Sequence, residues 1–249
     1  MKTWSIAFFA SSLMAFPALV AASEKAGQQT AEDDGGKSVA VLKAEIVSIA
    51  KANTTRTDNL VDVANRLRPL VAQLVSATPA KTASETLAKL EGTWHGLWSN
   101  LSYGPFPPDL AKTYQVVTTA GHYYNLSNQS GPNGPLVNAL RGAYAPIPDG
   151  FAIRFTRNGF FSGTLDGRNG DDLFNLAAEI ESGAQPLVSP PGSGFAVGKT
   201  GTLTTPYVDD DLRIVGGHGD PAFDDNGRVL AAGQYDLLFV LERQILPIK

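Results

Sequence analysis

The sequence predicts a mainly β domain, a closed antiparallel barrel or a sandwich, with two or three amphipathic helices ahead of it. Three observations carry that expectation. Apolar residues recur every three to four positions between Val39 and Leu74, the period of a helix with one buried face. After Gly92 that period gives way to short apolar or aromatic runs broken by Gly, Pro, Asn and Asp. Those runs number roughly eight, at the spacing of all-β folds.

Length and composition bound the problem. The chain has 249 residues, 43% hydrophobic and 18% charged, which is an ordinary globular composition able to bury a core. Twenty basic and 24 acidic residues give a net charge of −4 and there is no Lys/Arg cluster, which argues against nucleic-acid binding. Cysteine is absent, which excludes disulfides, a thiol nucleophile, iron–sulfur ligation and cysteine-containing zinc sites.

Residues 1–22 read as a secretory signal peptide: Lys2, an uncharged stretch from Trp4 to Val20, then Ala21 and Ala22 before Ser23. Cleavage there removes Lys2, leaves 19 basic and 24 acidic residues, and keeps only Trp94 and Trp98 of the three tryptophans. A periplasmic location is expected. Residues 23–38, with Gln28, Glu32, Asp33 and Gly35-Gly36, have almost nothing to bury and read as a flexible linker.

The domain proper spans 39–249, with a helical part over 39–90 and a β part over 91–249. Helices are expected at Val39 to Ala52, at Leu60 to Leu74 and at Ser84 to Leu90. Strands are expected at Thr93 to Ser99, Thr113 to Thr118, His122 to Leu126, Phe151 to Arg157, Phe160 to Leu165, Gly201 to Tyr207, Leu212 to Val215 and Tyr235 to Glu242. Asn158-Gly159 between two such runs signals a tight hairpin, because Asn and Gly tolerate positive φ. A short helix over Asp171 to Ser182 interrupts the strands.

Leu90-Glu-Gly92-Thr-Trp94 after the helices, Leu203-Thr-Thr205-Pro-Tyr207-Val-Asp209 leading to Leu212-Arg213-Ile214, and Phe239-Val240-Leu241 near the end resemble the plastid lipid-associated (fibrillin) family. The likeness runs from about Val39 to Arg243, with no alignable motif between Leu101 and Gly194. Pro206 is an extra residue within the pattern, and Gly216 stands where the family repeats an arginine. The resemblance implies a lipocalin-like small barrel that binds lipids or other hydrophobic molecules, with no catalytic residue and no cofactor. Gly92, Trp94, Tyr207, Asp209 and Arg213 are then its structural motif, with Asp209 and Arg213 as a matching pair that ties two strands by a buried salt bridge. The partners implied are a hydrophobic small molecule or lipid, with peripheral membrane contact as a further option.

From the residues themselves, Gly92 lets the chain approach the barrel closely and Trp94 plugs one end beneath an arginine, the alternative being that it is simply core. Trp98, four residues on, is expected on the same face as Trp94, lining a pocket with Phe151, Ile153 and Phe155. Asp210 and Asp211 are assigned to solvent, and Asp220 to Asn226 to a turn lacking calcium-loop spacing.

The enzymatic readings are weaker. Ser193 to Thr200 misses a phosphate-binding loop by its first glycine and runs into a strand. Ser48-Ile-Ala-Lys51 with Lys199-Thr200-Gly201 matches two motifs of penicillin-recognising serine enzymes, but the third, Thr57-Asp58-Asn59, lies too close to Ser48. His95, His122 and His218 are scattered and imply no metal site. The expectation is therefore a binding protein, with a filled, partner-binding barrel as the alternative.

Overall fold

The computed structural model describes residues 37–55, 59–100, 110–147, 150–189, 197–218 and 236–244. The expected signal peptide, most of the linker, Thr57 and Asp58 of the third serine-enzyme motif, the Asp220 to Asn226 turn and the first half of the phosphate-loop look-alike lie outside them.

Helix α1 (Val39–Lys51) starts at Ser38, whose hydroxyl accepts from the Val41 amide at 3.4 Å, so the last linker residue is in fact a helix cap. Helix α2 is Leu60–Ser76. Helix α3 (Ala83–Leu90) opens with a reciprocal capping box between Thr82 and Glu85, and α4 (Gly170–Ser182) with one between Asn169 and Asp172.

The strands are β1 (Gly92–Ser99), β2 (Thr113–Val117, after a 3₁₀ turn at Leu110–Lys112), β3 (His122–Gly131), β4 (Gly134–Ile147), β5 (Gly150–Ser162), β6 (Thr200–Val208), β7 (Leu212–His218) and β8 (Asp236–Arg243). Each pairs antiparallel with the next, and β8 returns to pair with β1, so the eight strands form a closed, barrel-like ring in chain order. Closure leaves neither β1 nor β8 as an open edge.

Two expectations are corrected here. Asn158-Gly159 makes no hairpin: β5 runs through both residues beside β4, with Asn138 opposite Phe160 and Leu140 opposite Asn158. No described non-glycine residue has positive φ, and Gly159 is not among the positive-φ glycines, so the turn geometry is not adopted. The pair has other uses. Asn158 Oδ1 accepts from Asn138 Nδ2 at 2.8 Å, and Gly159 leaves room for a crossing segment, since a Cβ there would lie 2.8 Å from Leu187 Cβ. The count of eight strands thus survives for a different reason: two expected strands are one, and β4 carried no expected strand.

The ring buries both faces. On one outer wall, α1 and α2 pack Leu42, Ile46, Leu67 and Leu74 against Leu97, Trp98, Tyr207, Ile214, Leu238 and Val240. On another, α4 packs Leu173, Leu176 and Ile180 against Val116, Tyr124, Leu126, Val137 and Phe161. The inner face carries a third cluster around Trp94, Tyr123, Phe151 and Ile153. Helices cover the outside because a strand with apolar groups on both faces must bury both.

Candidate functional site

One end of the ring is closed by the entry of the chain into β1. Glu91 ends α3, and Gly92 turns with φ +123° so that Trp94 points inward. Trp94 is fully buried, and its indole N–H donates to the Leu90 carbonyl at 2.9 Å. The guanidinium of Arg243 lies 4.1 Å from the centre of the Trp94 ring, a cation–π contact. Arg243 is held there by donating to the carbonyls of Lys89 (2.5 Å), Glu91 (2.8 Å) and Asp210 (2.8 Å), which satisfies the otherwise unpaired end of α3. The arginine expected over the tryptophan is therefore Arg243, brought opposite Trp94 by the pairing of β1 with β8.

A polar knot fastens the helices to this end. Asp209, in the turn between β6 and β7, accepts from the amides of Asp211 (2.9 Å) and Leu212 (2.8 Å), from the Tyr207 hydroxyl (2.6 Å) and from Lys43 of α1 (2.5 Å). Burial works against ionisation of Asp209, but Lys43, Tyr207 and the two amides outweigh it and hold the carboxyl near 2. Burial and the Asp209 carboxylate together push the Tyr207 phenol well above its usual range. Asp210 and Asp211 have mostly exposed side chains, although Asp210 pairs with Lys89 and Asp211 with Lys43 at 3.4 Å.

The salt bridge expected between Asp209 and Arg213 does not form. Residues alternate across a strand, and Arg213 points into the ring while Asp209 turns outward to Lys43. Pro206 lies, exposed, where the register of β6 against β7 shifts between Thr204 and Tyr207, and the shift puts Tyr207 on the helix-facing side.

Phe151, Ile153 and Phe155 stand together on the inner face, as the alternation predicts, with Phe151 and Ile153 buried and Phe155 partly buried. Tyr144 packs edge-on against Phe151 at 5.4 Å between ring centres, and Tyr123 against Phe155 at 6.3 Å. Trp98 is not with them. A bulge in β1 between Gly96 and Trp98 against β8 shifts the parity, so Trp94 faces in while Trp98 packs outward against α1 and α2. The expected pocket-lining role of Trp98 is corrected accordingly.

Beside Phe151 and Ile153 lies a cavity of about 20 Å³, also bordered by Tyr123 and Arg213. That is room for about one water molecule. Arg213 is only 3% exposed. Its Nη1 donates to Gln115 Oε1, and Gln115 in turn donates to Asn125 Oδ1 at 3.0 Å, an amide relay on the same inward face. Its Nε–H is buried with no hydrogen-bond partner, as is the Tyr123 hydroxyl. Burial pulls the guanidinium down to about 10, which still leaves it charged at neutral pH, and burial pushes the Tyr123 phenol upward. The sequence singles out Arg213 but pairs it with Asp209 in a buried salt bridge, and neither Tyr123 nor Gln115 carries a signal beyond its alternation along β3 and β2.

Ser48 is exposed on α1, and Lys51 pairs with Glu242 at 2.8 Å. Among the described residues no group of three or more His, Asp or Glu side chains is placed to hold a metal ion. Compared with known proteins, the chain matches no family model and no curated sequence.

Proposed function

We propose that this protein is an exported, periplasmic binding protein for a hydrophobic small molecule or lipid, lipocalin-like in architecture, related in kind to the plastid lipid-associated family, and acting without catalysis. The observation that carries the reading is the inward wall of Phe151, Ile153 and Phe155 inside a ring stopped at one end by Trp94 under Arg243. A wall of this kind offers apolar surface that is out of water. Ligand admission requires the wall to give way, because the 20 Å³ cavity is far below the roughly 300 Å³ of a small-molecule pocket. Tyr144, Phe155, Leu203 and Phe239 are the partly buried strand residues packed against the inner cluster, beside Leu87 of α3, and are the side chains that would move.

The small cavity is also the observation that favours the second reading, a filled barrel that serves as a structural or partner-binding element. One titration separates the two. Fatty acids, phospholipids, quinones and carotenoids are added to the Trp98→Phe protein, whose remaining barrel tryptophan, Trp94, belongs to the inner cluster. Saturable change with one class supports the binder. No change with any, from a protein that purifies free of lipid and excludes apolar dyes, establishes the filled barrel. For export, a mature chain starting at Ser23 in the soluble periplasmic fraction is expected, and an intact, membrane-bound Met1 overturns it.

A further inference from the structure

An apolar ligand makes no use of Arg213, and that residue is the unexplained charge of the interior. Its Nε–H and the Tyr123 hydroxyl are both buried without partners, and both residues border the same small cavity. The rest of the lining is apolar apart from Gln115 and Tyr144, and the Tyr144 hydroxyl already donates to the Thr118 carbonyl at 2.8 Å. No described residue forms an ion pair with Arg213, and the charge it senses most among cations, that of Arg243, repels it. A guanidinium kept out of water needs an anion or a full set of acceptors, and Gln115 supplies one acceptor only.

We propose that the cavity is the head-group site of a lipophilic carboxylic acid, whose carboxylate accepts hydrogen bonds from Arg213 Nε and Tyr123 Oη while its tail lies along Phe151 and Phe155. The inference rests on the hydrophobic-ligand reading above and narrows it to a chemical class. A carboxylate fits better than a phosphate monoester. One guanidinium and one phenol match a planar monoanion with two acceptor oxygens, whereas a dianion with three oxygens would remain under-neutralised and under-bonded. The space for a single water beside Arg213 is where the head group starts. The tail takes its room from the partly buried Phe155 and Tyr144.

The test compares oleic acid with oleyl alcohol, which share a tail and differ in charge, by calorimetric titration of the full chain above neutral pH, where the acid is ionised. The acid is expected to bind at least about tenfold more tightly, the effect of one charge-assisted hydrogen bond. Arg213→Gln should bring the ratio close to one by weakening the acid, with the alcohol little changed. Tyr123→Phe, a gentler change that leaves the ring in place, should lower the ratio several-fold and decides the matter should Arg213→Gln not fold. Equal affinity of acid and alcohol for the unaltered chain overturns the carboxylate site while leaving hydrophobic binding intact. A preference retained in both variants also overturns it. Binding of neither compound also overturns the carboxylate site, while the hydrophobic-ligand reading falls only if phospholipids, quinones and carotenoids fail as well in the titration described above.

Discussion

Trp94→Ala tests whether the tryptophan is the stopper that holds the closed end together. The side chain is fully exposed to no solvent, packs within the inner cluster, donates to Leu90 and lies under Arg243. Emptying a buried tryptophan site costs about 3 to 5 kcal/mol. Losing a partly desolvated cation–π contact adds about 1 kcal/mol, and the Leu90 carbonyl loses its indole donor. The upper end of that range, about 5 kcal/mol, is the expected loss, which is comparable to the whole stability of many domains. The variant should therefore unfold at low urea, followed by far-ultraviolet circular dichroism since the tryptophan signal is altered. Trp94→Phe keeps a ring under Arg243 and loses mainly the N–H bond, for about 1 to 2 kcal/mol. Asp210→Ala is the control, because that side chain is 78% exposed, and its midpoint should hardly move. A loss below about 2 kcal/mol for Trp94→Ala, or equal losses at Trp94 and Asp210, refutes the assignment of the stopper.

Asp209→Asn should lower the urea midpoint at neutral pH. Because the folded carboxyl titrates near 2 against an ordinary 3.8, its contribution is complete above about 3.8 and is lost as the pH falls through 2, so wild type and variant should converge in acid. Gly92→Ala should destabilise by about 1 to 3 kcal/mol, from the strain of a non-glycine residue in this region of φ and from crowding; its Cβ would lie 2.8 Å from Arg243 Nη1. Gly134→Ala, at φ +118° with open space around it, isolates the strain, and equal urea-melt losses at the two positions would show that Arg243 is not crowded. Trp98→Ala should loosen α1 and α2, seen as faster amide exchange there, because its ring packs on their apolar stripe. Trp98→Phe should leave any ligand-induced emission change intact while Trp94→Phe abolishes it, and the reverse result would return Trp98 to the interior.

The sequence alone determined what depends on near neighbours. The helical stripes of α1 and α2 came from spacings of three and four residues, and the shorter α3 and α4 begin within one residue of where the sequence places them, although their capping boxes emerged only in the structure. Five strands fell close to their expected bounds because an alternating or apolar run is itself local, and the inward set Phe151, Ile153, Phe155 followed from the two-residue period. Strand β4 escaped notice because its inward side carries Asn138 and its outward side Ala139 and Arg141, so hydrophobicity does not alternate with the pleat. Asn158-Gly159 misled because the same dipeptide suits a turn or an extended strand with a neighbour pressed against the glycine, and only the crossing of Leu187 to Ser189 decides between them. The faces of Trp98 and Tyr207 were set by bulges, which exist only as a mismatch between two strands far apart in the chain. Arg213 shows the same division. Its presence and its likeness to a motif were readable, but its partner was not: the distance from Arg213 to Gln115 is 98 residues along the chain, and closure of the ring is what brings them together around a charge that the fold leaves partly unmet.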